Sequence, residues 1–191
     1  WTKTDADTAA LLAGSTWTLT GPGVPADTVV TDCTAGPCST DPFTDQDPAV
    51  GAFRLSGLAW GSYTLTEKDA PAGYVGDPAP LNFSVTSATV SQPIDLGAVE
   101  NTRKLGSFSW TKTDEATGSA LAGSGWSVAG PDGFLVTVDD CVANSAAECT
   151  GADKDPAIGK FRLVALPWGV YTVTESQVPE GFVAIEPFTV T

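Results

Sequence analysis

Trp1-Thr2-Lys3-Thr4-Asp5 is the most informative stretch of the sequence, because the same five residues return as Trp110-Thr111-Lys112-Thr113-Asp114. Read as a β-strand, the period-two alternation places Lys3 on the same face as Trp1, which is the face expected to be buried. A buried amine is costly unless it is paired or consumed by a reaction. The alternative is that Lys3 lies at a sheet edge with its ammonium group in water.

Three further segments recur at the same spacing, so the chain contains an internal repeat. The matched pairs are residues 12–17 with 121–126, 47–55 with 155–163, and 60–67 with 168–175. A period of roughly 105–109 residues is too long for a solenoid repeat and is typical of a duplicated small domain. We therefore predict two tandem domains, residues 1–104 and 105–191, joined by a short linker in which Arg103 and Lys104 are solvated.

Each repeat has the pattern of an all-β domain. Short alternating segments are separated by turn signals such as Gly21-Pro22-Gly23, and no segment sustains a helical periodicity. The predicted strands are residues 17–20, 53–55, 63–67 and 83–86 in the first repeat and 126–129, 161–163, 171–175 and 188–191 in the second. Several short strands at this spacing predict a β-sandwich in each domain.

The two repeats differ at their ends. The first continues through a predicted last strand, Ile94 to Asn101, whereas the second stops at Thr191. The counterpart of Asn101 would fall beyond that residue, so the second domain is predicted to lack its C-terminal strand. We expect that strand to exist in the parent protein. Without it, the exposed strand edges could accept a strand in trans.

The composition excludes several classes of function. The 191 residues carry a net charge of −14, with 5 basic and 12 acidic residues (−7) up to Lys104 and 4 and 11 (−7) after it. Acidity spread this evenly should repel nucleic acid and anionic membranes. Because the sequence has no histidine, Ser-His-Asp and Cys-His catalysis are impossible. The sequence also lacks methionine and any long apolar run, which predicts a processed protein or excised fragment with no membrane contact.

Four cysteines occur as two close pairs, one in each repeat. Zinc is a poor interpretation, because neither spacing is Cys-x-x-Cys and there is no histidine. Local disulfides form in oxidising compartments. We therefore predict the disulfides Cys33–Cys38 and Cys141–Cys149, and hence an extracellular protein.

Two other features each have a structural and a functional interpretation. Asp41, Asp45 and Asp47 are either a solvated acidic loop or calcium ligands, and the absence of EF-hand-like spacing favours the loop. Trp60 and Trp168 are either packed in the core or exposed as platforms for sugar stacking, and core packing is favoured. The sequence therefore predicts neither a metal nor a cofactor.

Three residues of the first repeat suggest a chemical reaction: Lys3, Glu67 and Asn101. They supply a buried amine, an acid on the apolar face of its strand, and a carboxamide in the last strand. Burial lowers the pKa of an amine and raises that of a carboxylic acid. A neutral amine is a nucleophile, and a protonated carboxyl group can polarise an amide and shuttle protons. We predict a spontaneous Lys–Asn amide, formed with release of ammonia.

Five ordered segments resemble those of the Cna-B-type (SpaA-like, prealbumin-like) domain. They are Lys3-Thr4-Asp5, Leu12-Ala13-Gly14, Tyr63 to Glu67, Ala70-Pro71-Ala72-Gly73-Tyr74 and Val99-Glu100-Asn101. The resemblance spans both repeats and implies two tandem Ig-like, prealbumin-like β-sandwiches. It also implies Gram-positive surface adhesins or pilins, anchored by sortase, with a Lys–Asn isopeptide bond in each domain. By this resemblance Lys3 is the nucleophile, Asn101 the electrophile and Glu67 the catalytic acid.

The second repeat departs from that pattern. Only Lys112 and Glu175 match the reactive residues, with Glu175 as the catalytic acid. The remaining asparagines, Asn82 and Asn144, lie in the first repeat and in the second cysteine loop, so neither is a credible partner for Lys112. We predict no isopeptide bond in the second domain. The cysteine loops are not part of the family pattern.

These observations predict a stalk or shaft segment of a bacterial adhesin or pilus, located outside the cell and anchored to the cell wall. Its partners would be neighbouring domains of the same surface protein or pilus. The alternative is a ligand-binding adhesin module that recognises a host or matrix protein or a glycan. A turnover enzyme is disfavoured, so the isopeptide reaction is expected to run once per molecule.

Overall fold

The computed structural model describes residues 1–90 and 92–191 and divides into two compact units, Trp1–Arg103 and Lys104–Thr191. Both units are built almost wholly from short strands, with two 3₁₀ turns, Pro131–Gly133 and Ala146–Glu148, in the second. The all-β prediction is therefore confirmed. None of the helices found in the described residues has the length and apolar character that crossing a membrane requires.

The first unit consists of two facing sheets. Its strands are β1 (Thr2–Asp5), β2 (Thr16–Thr20), β3 (Val29–Thr31), β4 (Gly61–Asp69), β5 (Tyr74–Val75), β6 (Leu81–Val85) and β7 (Ala98–Arg103). One sheet has the order β1-β7-β5 and the other the order β3-β2-β4-β6. The first and last strands, β1 and β7, are parallel neighbours, with Lys3 opposite Val99 and Asp5 opposite Asn101. The two ends of the unit thus meet in one sheet.

The second unit repeats this plan with fewer strands. They are β8 (Leu105–Thr111), β9 (Gly125–Ala129), β10 (Leu135–Asp139), β11 (Lys160–Pro167), β12 (Tyr171–Gln177) and β13 (Phe188–Val190). One sheet has the order β10-β9-β12-β13, and β8 pairs with β11 in the other. Because β8 ends at Thr111, Lys112 lies just beyond the strand, whereas Lys3 lies within β1.

Each unit packs around a group of three aromatic rings. In the first unit Trp1 stacks on Phe53 with ring centroids 4.9 Å apart, and its edge meets the buried Trp17 at 5.8 Å. In the second unit the corresponding contacts of Trp110 with Phe161 and Trp126 are 5.1 and 5.7 Å. Buried aromatic pairs of this geometry add to the stabilisation from area burial alone. The repeated tryptophan of the opening motif therefore belongs to the core in both units.

Several predicted elements are wrong or shifted. Residues 53–55 are not a strand, although their counterparts 161–163 lie in β11, where β8 pairs with them along its length. The last strand of the first unit begins at Ala98 rather than Ile94. The short strands β3, β5 and β10 were missed, because runs of two to five residues give little periodicity.

The core assignment of Trp60 and Trp168 is also wrong. Their side chains are 63% and 66% exposed. Each precedes a glycine with positive φ, Gly61 at +140° and Gly169 at +152°, at the start of a strand. The aromatic residue at this turn therefore faces solvent in both units.

Both predicted disulfides are present, and a buried aspartate anchors each cysteine loop. The Cα atoms of Cys33 and Cys38 are 6.0 Å apart. The carboxylate of Asp45, 2% exposed, accepts hydrogen bonds from the amides of Cys33, Asp47 and Arg54 at 2.8, 3.0 and 2.9 Å. Asp45 therefore serves the backbone of its own loop.

The second loop has the same design. Cys141 and Cys149 have Cα atoms 5.7 Å apart, and Asp153 accepts hydrogen bonds from the amides of Cys141, Asp155 and Arg162. Burial of a carboxylate is tolerated when several amides satisfy it. The shared Asp-x-Asp-Pro-Ala sequence is thus a loop anchor in both units.

A glycine links each loop region to the strand that carries the lysine. Gly51 donates its N–H to Asp32 at 3.0 Å and accepts the Lys3 N–H at 2.7 Å. Its φ is +69°, and a β-carbon there would lie 2.7 Å from the carbonyl oxygen of Leu12. Only glycine fits this combination of left-handed backbone and close approach.

We expect Gly51→Ala to destabilise the first unit by more than about 2 kcal/mol, because strain at positive φ adds to a collision with backbone. The control is Gly23→Ala, at φ +74° with open space around the new methyl group, which should cost only about 1 kcal/mol. Guanidinium denaturation followed by tryptophan fluorescence measures both. Equal losses would contradict the role given to the close contact.

Candidate reactive site

Lys3 is enclosed by the first unit. Its position in β1 places the side chain between the two sheets, where it is fully buried. The ammonium nitrogen lies 5.6 Å from the centre of the Trp17 ring. The alternative of a solvated lysine at a sheet edge is therefore wrong for this residue.

An acid and a carboxamide meet the Lys3 amine. Lys3 Nζ is 2.5 Å from Asn101 Oδ1 and 3.2 Å from Glu67 Oε1. Asn101 Nδ2 donates a hydrogen bond to the same Glu67 Oε1 at 3.0 Å. One carboxylate oxygen thus touches both the amine and the nitrogen of the amide.

Strand alternation places these groups. Along β4 the buried positions are Tyr63, Leu65 and Glu67, so the acid continues the apolar face of its strand. Parallel pairing of β7 with β1 brings Asn101 beside the lysine. The other oxygen of Glu67 accepts the N–H of Asp77 at 2.7 Å, which fixes the carboxyl group.

The electrostatics favour a reactive amine. Burial lowers the pKa of Lys3, against the opposing attraction of Glu67. A lowered pKa increases the fraction of neutral amine, and only the neutral form has a free electron pair. The site therefore holds a nucleophile, a carboxamide carbonyl and a proton carrier within hydrogen-bonding distance of one another.

A second buried group ties β7 to β1 next to the site. Asp5 is 1% exposed and accepts hydrogen bonds from Tyr74 Oη and Arg103 Nε, both at 2.7 Å. The amides of Asp7 and Thr8 satisfy its other oxygen. Burial alone would raise the pKa of Asp5, but these hydrogen bonds outweigh it and leave the pKa well below its usual value. The prediction that Arg103 is a solvated linker residue is wrong.

The second unit has half of this arrangement. Lys112 Nζ contacts Glu175 Oε2 at 2.8 Å, and the N–H of Ile185 donates to the same oxygen at 3.1 Å. Within the described chain, the buried Glu175 Oε1 has no hydrogen-bond partner. In the first unit the corresponding oxygen accepts Asn101 Nδ2.

The other asparagines lie elsewhere. Asn82 is on β6 and accepts the Thr64 hydroxyl, while Asn144 is exposed in the second cysteine loop. Across residues 1–90 and 92–191, no group of three His, Cys, Asp or Glu side chains is arranged to hold a metal ion.

Sequence reasoning missed three parts of the site. Tyr74 was visible only as a motif residue, and Arg103 only as a basic residue near a boundary. The amide of Asp77 gives no side-chain signal at all. The duplicated motif offered one clue, because Phe182 replaces Tyr74 in the repeat whose aspartate, Asp114, lies nearer the surface.

Two tandem β-sandwiches, each with a buried Lys–Glu pair between its sheets, define a two-domain protein of the prealbumin-like class. The sequence matches the family model of the SpaA prealbumin-like fold domain over residues 1–97 and again over 106–191. The chain belongs to this family. No curated protein sequence matches it.

Solved structures agree with the fold. The Bacillus anthracis TIE protein is 21% identical with a TM-score of 0.57, and the match covers 99% of this chain but only 30% of that one. A C-terminal fragment of the pilus adhesin SpaC from Lactobacillus rhamnosus GG is 16% identical (TM-score 0.44, 99% of this chain and 80% of that). BcpA, the major pilin subunit of Bacillus cereus, is 12% identical (TM-score 0.34, 98% and 93%).

We expect Tyr74→Phe to lower the stability of the first unit by about 1.5–3 kcal/mol at pH 7, because it removes a buried hydrogen bond to a charged group. The folded pKa of Asp5 is depressed, so its contribution is present above the unfolded value of about 3.9 and is lost as pH falls below it. The difference between wild type and variant should therefore shrink below about pH 4. Urea titrations across this range test it, and a pH-independent difference would contradict the assignment.

Proposed function

We propose that the chain is a structural segment of the stalk or shaft of a Gram-positive surface adhesin or pilus, located outside the cell and anchored to its wall. We further propose that an amide between Lys3 and Asn101 closes its first unit. The contact of a buried lysine amine with both Asn101 and Glu67 is the observation that carries this proposal. Family membership and the two disulfides support it.

The proposed reaction needs no outside reagent. Glu67 takes a proton from the Lys3 ammonium, and the neutral Nζ attacks the side-chain carbonyl carbon of Asn101. The new C–N bond forms as the bond to Nδ2 breaks, and Glu67 passes a proton to the departing nitrogen. Ammonia leaves and the carboxylate is restored. The contacts of Glu67 Oε1 with both nitrogens suit this shuttle.

The reaction runs once, because its product is the protein itself. The amide would link residues separated by 98 positions in sequence. On the chain-entropy model, a cross-link closing a loop of about this length stabilises by about 4–5 kcal/mol. The gain in kinetic stability is larger, because unfolding of the linked strands then requires breaking a covalent bond.

The position of the bond suits a load-bearing segment. Pulling on the two ends of the first unit would load β1 and β7, which are parallel neighbours. A Lys3–Asn101 amide would carry this force from one strand to the other, so residues between them would bear none of it. Its partners in that role are neighbouring domains of the same surface protein or pilus.

One observation favours a second function, that of a ligand-binding adhesin module. Trp60 and Trp168 present largely exposed indole rings at the same turn in both units. Exposed aromatic faces can stack on sugars or on apolar groups of a matrix protein. Saturable quenching of tryptophan fluorescence by a glycan or matrix protein, abolished in Trp60→Ala with Trp168→Ala, would support this function.

Intact mass tests the amide directly. We expect the folded protein to weigh one ammonia less than its sequence, after correction for the hydrogens lost to two disulfides. Lys3→Ala should restore that ammonia and lower stability by about 4–5 kcal/mol. Lys112→Ala is the matched control and should leave the deficit unchanged. A folded wild-type protein without the deficit would sink the proposal.

The role of Glu67 makes a separate prediction. Glu67→Gln keeps the shape of the side chain but cannot carry the proton, so we expect a folded protein that retains its ammonia. Glu175→Gln, the equivalent change in the second unit, should still show the deficit. If Glu67→Gln formed the amide as completely and as fast as wild type, the shuttle would be excluded.

A further inference from the structure

A groove in the first unit lies beside Trp1, away from the reactive site. Its volume is about 680 Å³. The lining is largely apolar and includes Phe53, Leu55, Leu58, Phe83, Val85 and Leu96. An apolar groove of this size on a small domain is typical of a surface that another segment covers.

One wall of the groove is an unfinished strand pair. Trp1 and Phe53 exchange two backbone hydrogen bonds, Phe53 N–H to Trp1 O at 2.9 Å and the Trp1 ammonium to Phe53 O at 3.3 Å. Such an exchange is one rung of an antiparallel ladder. The next hydrogen-bonded rung in this ladder would join Leu55 to the position two residues before Trp1.

The second unit shows this ladder completed. There Trp110 pairs with Phe161, and the next such rung joins Phe108 to Leu163. The Phe108 ring packs against Trp110 at 5.5 Å and Tyr171 at 5.7 Å. Residues ahead of the motif tryptophan therefore cover the core of that unit.

The groove already has the backbone shape of the completed pair. Between Val164 and Leu166 the β8–β11 register shifts, which leaves Ala165 as a bulge with φ +56°. Its counterpart in the first unit is Gly57, with φ +77°. A bulge is a specific feature of a paired strand, and it is present here beside the groove.

We propose that this groove is the seat of an extended segment joined ahead of Trp1, antiparallel to residues 53–58, with a large apolar side chain two residues before Trp1. The unpaired stretch 53–58 becomes a strand when the segment docks. This inference goes beyond the proposed function and does not depend on the amide. In a stalk, force arriving at the first unit would meet the docked segment before it reached Lys3.

The chain itself supplies the test. The full chain is extended ahead of Trp1 by Leu-Gly-Ser-Phe-Ser, the sequence of residues 105–109, and the matched control carries Leu-Gly-Ser-Asp-Ser. With phenylalanine, we expect hydrogen exchange in peptides covering residues 53–58 to slow at least about tenfold relative to the control. The melting temperature of the first unit should rise by at least about 4 °C.

Three results would overturn the proposal. Equal exchange rates with both extensions would show that the groove does not read the apolar side chain. An equal rise in melting temperature for both would point to a general effect of the added residues. Protection that grows with protein concentration would show docking between molecules instead of within one.

Discussion

The structure of the first unit depends on one constraint, a lysine amine enclosed without water. A buried charge is costly unless its partners are arranged around it. Glu67 and Asn101 meet that requirement from two other strands, so β1, β4 and β7 must all be in place together. Gly51 and Asp5 then fix the strand on either side of the lysine, one through its carbonyl and the other through Tyr74 and Arg103. Fold and reactive geometry are therefore the same arrangement.

The second unit separates the two roles of this arrangement. Its Lys112–Glu175 pair is buried and packed as in the first unit, yet Glu175 keeps an oxygen with no partner among the described residues. A buried ion pair by itself is weak support for stability. The carboxamide supplied by the last strand is what distinguishes a reactive site from a structural ion pair.

Much of this could be read from the sequence, because duplication exposed it. Two copies of Trp-Thr-Lys-Thr-Asp and of the Tyr-to-Glu strand identified the domains, the core tryptophans and the lysine–glutamate pair. The sequence could not place residues 53–55, because a strand needs a partner and pairing depends on distant residues. Trp60 and Trp168 were misassigned because an apolar side chain at a turn can face either way. Arg103 was missed because its contact with Asp5 spans 98 positions.

A crystal structure at high resolution tests the central claim most directly. The account predicts continuous electron density from Lys3 Nζ to the side-chain carbonyl carbon of Asn101, with a planar bond of about 1.33 Å. Lys112 and Glu175 should appear as separate side chains in the same crystal. Separate density for Lys3 and an intact Asn101 carboxamide, in a folded first unit, would contradict it.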